Sequence, residues 1–95
     1  MNMREVEVTI PNKHGLHARP ATRFVQLASK YESNIEVIKG DLVVDGKSVT
    51  SMLTLNATKG TSLKIRATGP DADEAAEELA ALIKSGFGEN GQKGE

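Results

Sequence analysis

Four short segments of the chain have the hydrophobic pattern of β-strands. In residues 4–10, branched apolar side chains alternate with charged or polar ones, which is typical of a strand with one buried face. Residues 35–38 and 42–44 are rich in isoleucine, leucine and valine. The Lys39-Gly40-Asp41 sequence between them predicts a tight hairpin. Residues 63–68 alternate like the first segment and predict a fourth strand.

Two further segments have helical character. From Ala18 to about Lys30, apolar residues recur at spacings of three and four, which predicts an amphipathic helix. A short second helix is predicted over residues 49–55. Ser48 precedes it, and serine is one of the residues preferred at a helix N-cap.

The third predicted helix follows residue 70. Asp71 and Glu74 have the spacing of a capping box, and the acidic side chains suit the positive end of a helix. Gly86 predicts the end of this helix. Its apolar stripe comprises Ala72, Ala75, Ala76, Leu79, Leu82 and Ile83.

The element order β-α-β-β-α-β-α predicts an α+β fold. Four antiparallel strands would form one sheet, and three helices would cover one of its faces so that the apolar stripes are buried together. The other face is expected to meet water, since it carries Glu5, Glu7, Lys64 and Arg66. We expect one domain over residues 1–88 and a flexible tail over 89–95.

Composition excludes several classes of function. The chain has 12 basic and 13 acidic residues, which argues against the basic surface of a nucleic-acid-binding domain. It has no cysteine, so disulfides, thiolate nucleophiles and cysteine-based zinc sites are excluded. No apolar run is long enough for a membrane span, and the N-terminal residues lack the apolar core of a signal peptide. The sequence therefore predicts a cytoplasmic domain.

Candidate chemistry lies in NKHGLHARPA, residues 12–21. His17 is placed to be the N-cap of the first helix, where free N–H groups and the helix dipole favour an anion and disfavour imidazolium. Pro20 suits the first helical turn, Gly15 allows a positive φ before it, and Arg19 could pair with phosphate oxygens. Reversible phosphorylation of His17 fits this arrangement. A histidine cap beside a solvated arginine is the structural alternative.

The GLHARPA motif at residues 15–21 resembles the active site of the HPr family, the histidine phosphocarriers of the phosphoenolpyruvate-dependent phosphotransferase system. The resemblance covers about residues 4–87 and implies an open-faced β-sandwich. It also implies that His17 is phosphorylated on Nδ1 by enzyme I and that Arg19 stabilises the phosphohistidine. Such proteins are carriers rather than enzymes, and they need no cofactor or metal.

The resemblance also implies partners. Family members pass the phosphoryl group to IIA domains of sugar transporters, whereas a nitrogen-type branch (NPr) serves a regulatory relay. We expect a monomer that does not bind membranes, with Leu16, Val49 and Met52 as docking residues. Leu16 and Val49 are expected to point outward, and Leu53 and Leu55 inward. The sequence leaves the branch open.

Ser48 matches the serine that an HPr kinase phosphorylates in some bacteria, although an ordinary N-cap explains it equally well. The Gly46-Lys47-Ser48 sequence is not a P-loop, because Asp41 stands where that motif requires glycine. His14 is expected to be a solvated loop residue. A competing function from another class is a non-catalytic domain that binds an anion at the first helix.

Overall fold

The computed structural model describes residues 2–88. The predicted tail at 89–95 lies outside the described residues. The elements follow the predicted order, and their bounds are β1 (Met3–Thr9), α1 (Ala18–Ala28), β2 (Asn34–Lys39), β3 (Leu42–Asp45), α2 (Val49–Leu53), β4 (Ser62–Thr68) and α3 (Ala72–Lys84).

The four strands form one sheet in the order β1-β4-β2-β3, and every neighbouring pair is antiparallel. β4 is therefore a central strand, paired with β1 on one side and β2 on the other. One register row runs across the whole sheet through Val6, Ile65, Val37 and Val44. The predicted α+β fold, an open-faced sheet covered by three helices, is confirmed.

The two faces of the sheet have opposite character, as strand alternation requires. Apolar side chains of one face are buried under the helices, with Leu63, Ile65 and Ala67 of β4 at its centre. On the other face, Arg66 donates to the carboxylates of Glu5 and Glu36 at 2.7 and 3.2 Å. These two hydrogen bonds raise the pKa of Arg66. The bond to Glu5 is also the main cause of the lowered pKa of Glu5. The predicted polar face is confirmed.

The helices pack in a layer over the apolar face. α3 lies against β1 and β4, and α1 lies between α2 and α3. Phe24 of α1 and Leu79 of α3 are fully buried in the resulting core. No helix within residues 2–88 has the length and hydropathy that crossing a bilayer requires.

The end of α3 confirms Gly86 as its stop. Gly86 has a φ of +75°, and its N–H donates to the carbonyl of Ile83 at 2.9 Å. The N–H of Phe87 donates to the carbonyl of Leu82 at 2.8 Å. These two bonds form a Schellman motif, which satisfies carbonyls that the helix itself leaves unpaired.

The predicted capping box at Asp71 is wrong. Asp71 is the N-cap residue of α3, but its side chain makes no capping hydrogen bond. Its carboxylate instead accepts hydrogen bonds from the backbone N–H groups of Glu32 and Ser33, each at 2.9 Å, and from the Ser33 hydroxyl. Asp71 thus joins α3 to the turn before β2, because the tertiary fold offers its oxygens three donors.

Candidate functional site

The loop before α1 is held by hydrogen bonds at both of its ends. The side-chain amide of Asn12 donates to the carbonyl of Gly15 at 2.7 Å, and the N–H of Gly15 donates to the carbonyl of Asn12 at 3.1 Å. The N–H of Leu16 donates to the carbonyl of Ala57 at 2.8 Å. The backbone that leads into α1 is therefore fixed both locally and by the loop that follows α2.

Gly15 is required by this packing. Its φ is +70°, as predicted, and a Cβ atom here would lie 2.5 Å from the carbonyl oxygen of Ala57 and 2.9 Å from the Cα of Thr58. Both contacts are with backbone, which cannot rotate away as a flexible side chain could. Any larger residue would push the loop off Ala57 and displace the start of α1.

His17 is the N-cap of α1, as predicted. Its backbone is extended, with φ −96° and ψ −169°, and its side chain makes no capping hydrogen bond. The first turn of the helix contains no acidic residue. The positive end of the α1 dipole therefore has no carboxylate of its own in that turn, which favours an external anion.

The imidazole of His17 is half-buried, and its Nε2 atom is shielded from solvent. Arg19 is exposed in the first turn of α1, two residues beyond His17. The structure thus places a histidine, an arginine and a helix N-terminus in one short segment of surface.

His14 is exposed in the loop, as predicted, but it is not isolated. Its ring lies edge-to-face with that of His17, with 6.1 Å between the ring centroids and 81° between the ring planes. The two imidazoles are therefore direct neighbours at the mouth of the site.

Ser48 is the N-cap of α2, as predicted, and its hydroxyl accepts a hydrogen bond from the N–H of Ser51 at 3.1 Å. α2 packs against α1, so the two helices form one surface layer next to the loop. The ammonium of Lys47 donates to the carbonyl of Tyr31 at 2.7 Å, which attaches the turn before Ser48 to the chain beyond α1.

The predicted orientation of the apolar residues is partly wrong. Leu16 is buried, because its N–H bond to Ala57 draws it into the core. Met52 is also fully buried and cannot be a docking residue, whereas Leu53 is 40% exposed rather than inward. Consecutive helical residues differ by about 100° in direction, so an inward Met52 turns Leu53 toward solvent. Val49 is half-buried, and the inward position of Leu55 is confirmed.

Two functional parts of the site were not predicted from sequence. Asn12 is 7% exposed and forms the turn that holds Gly15, and Ala57 supplies the carbonyl that anchors Leu16. Asn12 carried a local signal, since asparagine after proline is typical of a turn. Ala57 carried none, because its role depends on a contact 41 residues away in sequence, the difference between 57 and 16.

Comparison with known families decides what this arrangement is. Residues 4–85 match the family model described as the PTS HPr component phosphorylation site. The chain belongs to the HPr family. The match confirms the resemblance of the GLHARPA motif to the HPr active site. The chain is therefore a phosphocarrier of the phosphotransferase system and not an enzyme.

Relatives of both HPr and NPr type are similar to the chain over almost their whole length. The phosphocarrier protein HPr of Neisseria meningitidis is 41% identical over 92% of this chain and 98% of its own. The phosphocarrier protein NPr of Shewanella violacea is 37% identical over 94% of this chain and 98% of its own. The crystal structure of HPr-C-His from Thermoanaerobacter tengcongensis superimposes with a TM-score of 0.86 and 46% identity, covering 90% of this chain and 96% of that one.

Proposed function

We propose that His17 accepts a phosphoryl group from enzyme I and donates it to the IIA domain of a sugar transporter. The position of His17 carries this proposal: it is the N-cap of α1, its side chain is not used for capping, and its Nε2 is buried. Nδ1 is then the nitrogen that takes the phosphoryl group. The family match over residues 4–85 supports the same reaction class.

The transfer is a direct displacement at phosphorus. The lone pair of the His17 nitrogen forms a new N–P bond while the bond between phosphorus and its donor atom in enzyme I breaks. Negative charge on the phosphoryl oxygens is stabilised by the first N–H groups of α1 and by the guanidinium of Arg19. In transfer to the acceptor, the N–P bond of His17 breaks as a new bond to phosphorus forms on the acceptor. In both steps the protein contributes the position of the phosphoryl group and the stabilisation of its charge.

The docking surface we propose combines Val49 and Leu53 of α2 with the exposed first turn of α1. Leu53 replaces Leu16 and Met52 in this role, because it is exposed and they are buried. A small surface of this kind suits a transient complex, which a monomeric carrier must form and leave quickly. We place this exchange in the cytoplasm.

The sugar-type relay is the branch we propose, and the nitrogen-type relay is its alternative. The cap geometry of Ser48 supports phosphorylation by an HPr kinase as a further control. A phosphate on this hydroxyl would stand at the beginning of α2, next to Val49 in the docking surface. It would place negative charge where partners bind and so weaken docking.

The test is incubation of the full chain with phosphoenolpyruvate and a general enzyme I. We expect an acid-labile, alkali-stable gain of one phosphate that His17→Ala abolishes. Since the His17 side chain makes no capping bond, that variant should stay folded. Arg19→Ala should slow transfer about tenfold to a hundredfold, the factor that corresponds to one hydrogen bond to a charged group, without unfolding the domain. Label that survives His17→Ala would overturn the proposal, and an unlabelled wild type would favour the non-covalent anion-binding alternative.

A further inference from the structure

The neighbour of His17 offers chemistry that the proposed reaction has not used. His14 is exposed, and its ring stands edge-to-face with the ring of His17 at a centroid distance of 6.1 Å. The hydrogen bonds between Asn12 and Gly15 close the turn that carries His14. The imidazole is therefore presented to the site by an ordered turn rather than by a long free loop.

An imidazole at this place has a donor for an anion in either of its charge states. Neutral histidine carries one N–H group, and the protonated form carries two. The buried Nε2 of His17 directs an incoming group to the other nitrogen of that ring. A phosphoryl group on that ring has the His14 ring as a neighbouring side chain, since the two ring centroids are 6.1 Å apart.

We propose that His14 is a second phosphoryl-binding side chain, which donates a hydrogen bond to the phosphoryl group carried by His17. This inference rests on the proposed function of His17 and adds a residue to that site. No bond is made or broken by His14. Its effect is to stabilise the phosphorylated state relative to the free one, and hence to lower the tendency of the carrier to give up the group.

The alternative is that the ring of His14 only packs against His17. The two explanations differ in what a phenylalanine would do at position 14. Phenylalanine keeps an aromatic ring for the edge-to-face contact but has no N–H group. Glutamine loses the ring and keeps a donor. The variants His14→Phe and His14→Gln therefore separate the donor from the ring.

The experiment measures the equilibrium between the phosphorylated and free protein in mixtures of phosphoenolpyruvate and pyruvate with catalytic enzyme I. An equilibrium constant does not depend on the catalyst, so altered docking cannot change it. We expect His14→Ala and His14→Phe to lower the phosphorylated-to-free ratio about fivefold, the factor that corresponds to one hydrogen bond. His14→Gln should retain more of the phosphorylated form than either. Lys13→Ala, which removes a neighbouring exposed cation, should leave the ratio unchanged.

Three results would overturn the role of His14 alone: an unchanged ratio in His14→Ala, a wild-type ratio in His14→Phe, or an equal fall in Lys13→Ala. In each of these cases the wild type is still phosphorylated, so the function of His17 stands. A wild type that takes no label would instead overturn the proposed function, and the inference about His14 with it.

Discussion

The beginnings of α1 and α3 have similar backbones but opposite charges on their side chains. The N-cap residues are His17 and Asp71, and each lies two positions after a glycine with positive φ, Gly15 or Gly69. The first turn of α3 contains Asp73 and Glu74, and the N-cap carboxylate is bonded to Ser33 and Glu32. The first turn of α1 contains no acidic residue, and its N-cap is an imidazole without a capping bond.

The difference shows what turns a helix N-terminus into a site. Every α-helix offers N–H groups and a positive dipole end, and these can be satisfied by the chain's own side chains, by water or by a ligand. At α3 the acidic residues complement the dipole, and the N-cap carboxylate fastens two parts of the fold. The first turn of α1 contains no acidic residue and has Arg19 instead. The beginning of α3 therefore contributes to stability, and we propose that the beginning of α1 binds an incoming phosphoryl group.

The largest expected effect comes from the two glycines that precede these helices. A Cβ atom on Gly15 would lie 2.5 Å from Ala57 O, and one on Gly69 would lie 2.7 Å from the Ser33 hydroxyl oxygen. Gly15→Ala and Gly69→Ala should each destabilise the protein by at least about 1–2 kcal/mol, because alanine resists positive φ. Only Gly15→Ala should also slow phosphoryl transfer, by about tenfold or more, since only that loop positions His17.

We would measure the free energy of unfolding of both variants by chemical denaturation. The rate of phosphoryl transfer from enzyme I would be measured below their unfolding temperatures. Gly40→Ala is a matched control, since Gly40 has a φ of +58° but no atom near its added Cβ. It should cost stability and leave transfer unchanged. If Gly69→Ala slowed transfer as much as Gly15→Ala, the two helix beginnings would not be functionally distinct.

A smaller effect is expected when α1 is given the acidic first turn of α3. Ala18 is the exposed first residue of α1. Ala18→Asp should stabilise the protein by about 0.3–1 kcal/mol through the helix dipole. The same carboxylate should lower the equilibrium phosphorylation of His17 about fivefold by repulsion. Ala18→Asn, which adds no charge, is the control. A phosphorylation level equal to wild type in Ala18→Asp would show that charge at this end does not matter.

The sequence alone predicts most of this contrast, but not all of it. The element order, the N-cap role of His17 and the positive φ of Gly15 follow from local patterns, which need no tertiary information. The inward Met52 and outward Leu53 were missed because α2 has only five residues, too few turns for periodicity to define its buried face. The bonds of Asp71 were missed because Ser33 is 38 residues away in sequence.

The smallest effect concerns the pH dependence of stability at the α3 end. The hydrogen bond from the Ser33 hydroxyl is the main cause that lowers the pKa of Asp71, followed by the bond from the backbone of Glu32. A lowered pKa in the folded state means that the contribution of Asp71 is fully present above its unfolded pKa of about 4. It is lost as the pH falls below that value, when the carboxylate is protonated.

Asp71→Asn should therefore be less stable than wild type at pH 7, and the difference should shrink as the pH falls from about 4 toward 2. The measurement is the free energy of unfolding of both proteins across this range. Asp73→Asn, on an exposed side chain, is the control and should show a smaller change. A difference between Asp71→Asn and wild type that stays constant with pH would mean that the carboxylate bonds do not account for it.

The most direct test of a phosphoryl site at the beginning of α1 is to locate the phosphorus on the protein. The full chain, labelled with nitrogen-15 in its histidines, is phosphorylated with phosphoenolpyruvate and enzyme I, and nitrogen–phosphorus coupling is measured by NMR. We predict coupling to Nδ1 of His17 and to no nitrogen of His14. Coupling to Nε2 of His17, or phosphorus on His14, would contradict the claim that the α1 end with its buried Nε2 receives the group.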